Sequence, residues 1–174
     1  CTIKFREDSI FLDPRNIELG ARIVSNLEKL YLSLKKLGLK SADKNEYYKL
    51  SHEIGIPQIN TEKLQNKLFG IECNFDELNA IDFKKGCYVG QENTARIKLK
   101  DKLNKRLLPI EIIKGNLEDE IILCEKDEIG RVLIKNDHPY AIIKIKNEKF
   151  NFDKTFTCGS AKIKVIKPDW LQIT

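Results

Sequence analysis

The residues best suited to chemistry stand together at Lys85-Gly86-Cys87-Tyr88-Val89-Gly90-Gln91-Glu92. One cysteine is set between two glycines, with a lysine on one side and a glutamate on the other. Glycine admits backbone angles closed to other residues and lets a ligand or a second chain come close. A thiol reacts as its thiolate, and nearby positive charge favours that form. Lys85 can supply such charge to Cys87 or contact an anionic tail; a solvated lysine is the plain alternative. Gln91 and Glu92 can orient a ligand through hydrogen bonds. Glu92 also stands four residues before Arg96, the spacing of an ion pair on a helix. No histidine lies near Cys87 in sequence, so a Cys–His nucleophile pair has no basis here. A buried cysteine in a glycine-rich turn is the reading that needs no chemistry.

The flanking sequence sets the elements that must position this loop. Asp13-Pro14-Arg15-Asn16 is a turn signal, because Pro fixes φ and Asp and Asn bond to nearby backbone. It divides residues 1–24 into two strands. Asp13, Arg15 and Arg22 suit a structural network, since Arg–carboxylate pairing is geometrically specific. Leu27, Leu30, Leu34 and Leu37 recur at helical spacing before Gly38, and this stripe is expected in the core. A second helix starts at Asp43, whose carboxylate can cap it while Glu46 reaches back. Tyr47, Leu50 and Ile54 share one of its faces, and Gly55 before Pro57 ends it. Residues 58–82 are less periodic, with Phe69, Ile71, Phe75, Leu78 and Ile81 as anchors for short helices or turns. His52 and His138 read as surface or core histidines.

Composition shifts after Glu92. Arg96, Lys98, Lys100, Lys102, Lys105 and Arg106 face a single acid, Asp101. Alternating lysines predict one solvated strand face, and the run lacks the aromatics that stack nucleic-acid bases. Short runs rich in Ile, Leu and Val follow at 106–113, 119–124, 129–135, 140–146 and 162–166. Strands at this spacing predict a small antiparallel barrel or sandwich. The fold class is therefore α+β, with an α/β portion over 1–100 and a β domain over 101–174.

A chain of 174 residues can bury a real core, and its 41% hydrophobic and 33% charged content is ordinary for a globular protein. No apolar run approaches the roughly 18 residues that span a bilayer. The formal charge of +5 suits an anionic ligand or RNA but singles out neither. Cys1, Cys73, Cys87, Cys124 and Cys158 are scattered without the short spacings of zinc, disulfide or cluster sites, so reduced thiols are expected and no metal site. Methionine is absent, which predicts a fragment or processed product.

Phe83-Lys84 before the cysteine motif and Ala95-Arg96 after it complete a stretch that resembles the signature of the YgfZ-type folate-binding proteins. These are relatives of the glycine-cleavage T-protein, an aminomethyltransferase. Asp13-Pro14-Arg15, Leu19-Gly20-Ala21-Arg22, Gly55-Ile56-Pro57, Lys105-Arg106, Ile129-Gly130 and Pro168-Asp169-Trp170-Leu171 resemble further family motifs, in family order. The resemblance implies part of a T-protein-like folate-binding domain followed by a small barrel, as the C-terminal part of a longer protein. It implies a tetrahydrofolate-binding accessory factor for iron–sulfur cluster assembly or repair, with indirect effects on tRNA modification. Cys87 would be its functional thiol with Lys85 beside it. Gly86, Tyr88, Gly90, Gln91, Glu92 and Arg96 would line the ligand, and Tyr47 would stack on the pterin. Many relatives carry an arginine near the position of Ser51. A folate-dependent one-carbon transferase and a tRNA-binding module remain alternatives. The implied partners are iron–sulfur clients or assembly proteins, with weak tRNA contact. The implied compartment is the cytoplasm, or the mitochondrial matrix if the chain is eukaryotic.

Overall fold

The structure, a computed structural model, describes residues 2–5, 8–86, 94, 96 and 103–172. Strands β1 (Thr2–Phe5), β2 (Asp8–Leu12) and β3 (Ala21–Val24) form a small antiparallel sheet in that order. The expected pair of strands is thus a trio. The Asp13–Asn16 turn leads through one turn of 3-10 helix to β3, closed by Asp13 N–H donating to Gly20 O at 2.9 Å.

Helix α1 (Leu27–Lys36) is capped by Asn26, whose side-chain oxygen accepts from Glu28 and Lys29 N–H. Its leucine stripe is present, but the expectation that it lies in the core fails. No α1 residue is buried, and Leu27 is 78% exposed. Periodicity reveals which residues share a face; of this one, Leu30 and Leu34 are half-buried and Leu27 and Leu37 exposed. Helix α2 (Lys44–Ile54) starts where Asp43 caps it, accepting from Asn45 N–H at 2.7 Å. Gly55 ends it in the left-handed region at φ 85°, where its N–H and that of Ile56 donate to His52 and Ser51 carbonyls. The buried face carries Ser51, His52 and Ile54, while Leu50, expected beside Ile54, is exposed.

Residues 58–82 wind through turns. Asn60, Asn66, Asn74 and Asn79 all adopt positive φ, a conformation that Asn tolerates better than most side chains. Of the expected anchors, Ile71 and Leu78 are buried, whereas Phe69 and Phe75 are exposed.

The remainder closes into an antiparallel barrel. Its strands are β4 (Lys105–Lys114), β5 (Ile121–Cys124), β6 (Asp127–Ile134), β7 (Tyr140–Lys144), β8 (Thr155–Cys158) and β9 (Ala161–Val165), in the order β4-β7-β6-β5-β8-β9. Closure depends on the length of β4. Its first half pairs with β7 and its second half with β9, with a bulge between Ile112 and Lys114 that lets the strand turn. Inward residues such as Leu108, Ile110, Ile143, Phe156 and Ile163 fill the interior. Gly130 is required on β6 because a Cβ there would strike Ile142 O and Ile143 Cδ1 of β7.

The start of β4 is buried on both faces. Leu64, Leu68 and Cys73 pack outside the barrel on Leu107, Ile134 and Tyr140. Leu107 N–H donates to Glu72 O, and Asn74 Nδ2 donates to Leu107 O. Arg106 was expected on a solvated strand face and is instead buried. Its guanidinium pairs with Glu77 and donates to Ile71 O and Asn74 Oδ1. The backbone and carboxylate partners supplied by 71–77 explain why this cation leaves water.

Candidate functional site

Cys87, Tyr88, Gly90, Gln91 and Glu92 lie outside the described residues. The structure carries the approach to them: Lys85 and Gly86 are exposed, at the end of a turn in which Lys84 N–H donates to Asp82. Arg96 is exposed. Among the described residues no group of three or more His, Cys, Asp or Glu is placed to hold a metal ion, and Cys73, Cys124 and Cys158 are free thiols.

The polar cluster that the structure does assemble centres on Asp13. Its side chain is buried in the turn after β2, where an unpaired carboxylate would be costly. Arg15 supplies a fork, with Nε 3.0 Å from Oδ1 and Nη2 2.8 Å from Oδ2, and its own N–H adds a third bond. Arg22, arriving from β3, donates Nε to Oδ2 at 2.6 Å. The Arg15 guanidinium, aided by Arg22 and opposed by burial, holds the Asp13 carboxyl well below the usual carboxylate range. The expected network of Asp13, Arg15 and Arg22 is therefore formed. Two guanidinium charges meet one carboxylate, which leaves one positive charge in surplus, and the Arg22 side chain is 44% exposed.

Tyr47 joins this cluster from α2. Its ring packs on the small core of Leu19, Ile54, Ile56 and Leu78, and its hydroxyl accepts from Arg22 Nη2 at 3.5 Å. The residue is half-buried, with its body in apolar contact and its polar end on the arginine. Ser51, four residues along the same helix, points inward and donates its hydroxyl to Ile56 O. A side chain at that position serves the helix end.

Sequence reasoning missed two parts. Gln58 turns its amide oxygen to Arg15, accepting from Nη2 and Nη1 at 2.8 and 3.1 Å. It sits in an aperiodic stretch, and no local pattern marks it. Beside Arg15 opens a cavity of about 360 Å³ lined by apolar groups, among them Ile56, Leu64, Phe75, Leu78 and Leu107. The Cys73 thiol faces it too. Burial pushes that thiol up to about 11, so it stays protonated and unreactive at neutral pH.

The end of α2 is anchored to the barrel. Trp170 Nε1 donates to Ile54 O at 2.7 Å, and a Cβ at Gly55 would collide with the Pro168 ring. Trp170 packs against both the α2 core and the barrel core. His52 is a core histidine: its Nε2 lies 3.0 Å from Pro139 O, and its ring meets Tyr140 edge-on. Desolvation first, then His138 nearby, lower its pKa.

No protein-family model matches the chain. It is similar to the mitochondrial iron–sulfur cluster assembly factor IBA57 homolog of Dictyostelium discoideum, 33% identical over 118 residues, which are 67% of this chain and 29% of that protein. The Neurospora crassa homolog is 37% identical over 97 residues, 56% of this chain and 22% of that protein. The Mus musculus factor is 32% identical over 101 residues, 58% of this chain and 27% of that protein. The chain spans less than a third of the length of these curated relatives. All three are named as mitochondrial, and no described helix of this chain is long and apolar enough to cross a membrane.

Proposed function

We propose that this chain is part of a folate-binding accessory factor that acts in iron–sulfur cluster assembly or repair, with Cys87 as its working thiol. The similarity to assembly factors named for iron–sulfur clusters supports the process. If the chain is eukaryotic, its compartment is the mitochondrial matrix, as its relatives' names suggest. Its partners are then iron–sulfur clients or the assembly machinery, and effects on tRNA modification follow indirectly from the state of cluster-containing enzymes.

The folate part of the reading rests on one observation: a cationic cluster bordering an apolar cavity, with a tyrosine attached to the same cluster. A reduced folate has a ring system with apolar faces and a carboxylate tail. Ligand cavities pair apolar walls with a few polar groups in this way, and a volume of about 360 Å³ lies within their usual range. Arg15 is the member of the cluster that lines the cavity; Tyr47 and Arg22 stand outside its lining, so a folate would have to reach past Arg15 to meet the Tyr47 ring face and the surplus charge at Arg22. Bound there, tetrahydrofolate would supply one-carbon or electron-donating chemistry. The protein's own part would be to hold it, with Cys87 as the thiol that works beside it. T-protein-like architecture in the α/β portion belongs to the same proposal.

The test separates the thiol from the ligand. Cys87→Ala should leave the fold intact yet fail to restore iron–sulfur enzyme activity in cells lacking the protein. Full rescue at equal expression would sink the thiol role. Tyr47→Ala should weaken binding of a reduced folate by roughly 3–10-fold in calorimetry, as expected from losing an aromatic contact. Unchanged affinity would return Tyr47 to the core.

A further inference from the structure

A second cleft lies on the outside of the barrel, away from the Asp13 cluster and sharing only Leu68 with the cavity beside Arg15. It measures about 450 Å³ and runs between the segment around Lys67 and strands β6 and β7. Leu68, Leu133 and Ile142 give it an apolar floor. Register explains the rim: Arg131 of β6 lies opposite Ile142 of β7, and Lys105 of β4 lies opposite Lys144.

The charges around this cleft are unevenly satisfied. Three acids line it beside four cations: Glu128 pairs with Lys144 at 3.4 Å, Glu120 lies 3.9 Å from Lys135 outside the lining, and Glu72 accepts from the neutral Phe69 N–H at 3.0 Å and keeps its charge in the cleft. Three cations that line it come from three separate stretches of chain. Lys67, Lys105 and Arg131 have no side-chain hydrogen-bond or ion-pair partner among the described residues. With Lys144 set against Glu128, these three cations outnumber the remaining lining acids, Glu72 and Glu120, and leave the cleft with an excess of positive charge that favours an anion. The apolar floor beneath them is a cost in water and a contact surface for a ring or chain.

We propose that this cleft binds a small phosphorylated organic molecule of about nucleotide size, independently of the folate reading. Its phosphates meet Lys67, Lys105 and Arg131, and its organic part lies on Leu133 and Ile142. A phosphate ester would meet the three unpaired cations of the lining, against the opposing charge of Glu72 and Glu120, and Arg131 offers a fork suited to paired oxygens. The volume accommodates a ligand of that size.

Calorimetry of the full chain at low salt, with ADP, pyrophosphate and adenosine as probes, tests both halves of the assignment. ADP should bind more tightly than pyrophosphate, adenosine should fail to bind, and added salt should weaken ADP, since exposed charges are screened. The triple variant Lys67→Gln, Lys105→Gln, Arg131→Gln should keep its melting temperature and bind ADP at least tenfold more weakly. Lys126→Gln, a turn lysine outside the cleft, should bind as the wild type does. The proposal is overturned if wild-type protein fails to bind ADP at millimolar concentration, or if the triple variant binds it equally well. Adenosine binding as tightly as ADP would also overturn it, as would pyrophosphate matching ADP.

Discussion

The barrel and the β1–β3/α1 region are built from sequence of similar hydrophobic character, yet they end in opposite states. In the barrel, Ile110, Ile122, Ile129 and Ile143 face an interior where each is fully buried. In β3 all four residues are exposed, and α1 leaves Leu27, Tyr31 and Leu32 in the open. Closure makes the difference. A barrel covers its own apolar faces, because every strand has two neighbours and every inward side chain has opposite partners. A three-stranded sheet and an amphipathic helix each need another layer to do the same. The same leucine therefore contributes stability in one region and marks a surface in the other.

The comparison breaks first at Phe156. This side chain is 2% exposed in β8, stacked on Phe150 at 5.7 Å between ring centroids, and surrounded by the barrel core. Phe156→Ala should cost about 3–5 kcal/mol, the range for large aromatic truncations that leave a cavity. Denaturant unfolding followed by circular dichroism measures this. A loss below about 1 kcal/mol would mean that the barrel is not the stable unit of the chain.

A smaller effect is expected where the two regions meet. Trp170→Phe keeps an aromatic ring in place and removes the N–H that satisfies Ile54 O at the end of α2. The loss of one hydrogen bond to a partly buried carbonyl should cost about 1 kcal/mol. Hydrogen exchange should localise it, with faster exchange at the α2 end and unchanged protection in β4 and β7. Equal acceleration throughout would show that the two regions unfold as one.

Much of the barrel was legible because its strands are short runs rich in Ile, Leu and Val, several set apart by Gly, Asn or Asp. The runs at 106–113, 119–124, 129–135, 140–146 and 162–166 correspond to β4, β5, β6, β7 and β9. Strand β8 escaped because Thr155-Phe156-Thr157-Cys158 is short and half polar, although its alternation is perfect once the register with β9 is seen. The turns of 58–82 escaped for another reason: left-handed asparagines make a path that has no period. Capping chemistry read well at Asp43 and Gly55, where one residue's geometry suffices. Within the candidate site, Asp13, Arg15 and Arg22 could be named because carboxylate and guanidinium are recognisable partners close in sequence. Gln58 and the cavity beside it depend on how distant segments pack. Arg106 was misread because its partner Glu77 lies 29 residues away.

The smallest effect should come from α1, and it sharpens the comparison most. Leu32 is 62% exposed, and Leu32→Ala replaces it with the residue of highest helix propensity. Were leucine content alone to set stability, this change would resemble a core truncation. Exposed substitutions away from caps and buried networks instead stay within about 0.5 kcal/mol, and here the better helix former offsets part of any lost contact. The expected result is a denaturation midpoint indistinguishable from wild type, with unchanged helical signal. A loss of about 2 kcal/mol or more would show that α1 is covered in solution. The exposed residues of α1, Leu32 among them, would then belong to an interface, and the contrast between the two regions would vanish once that partner was in place.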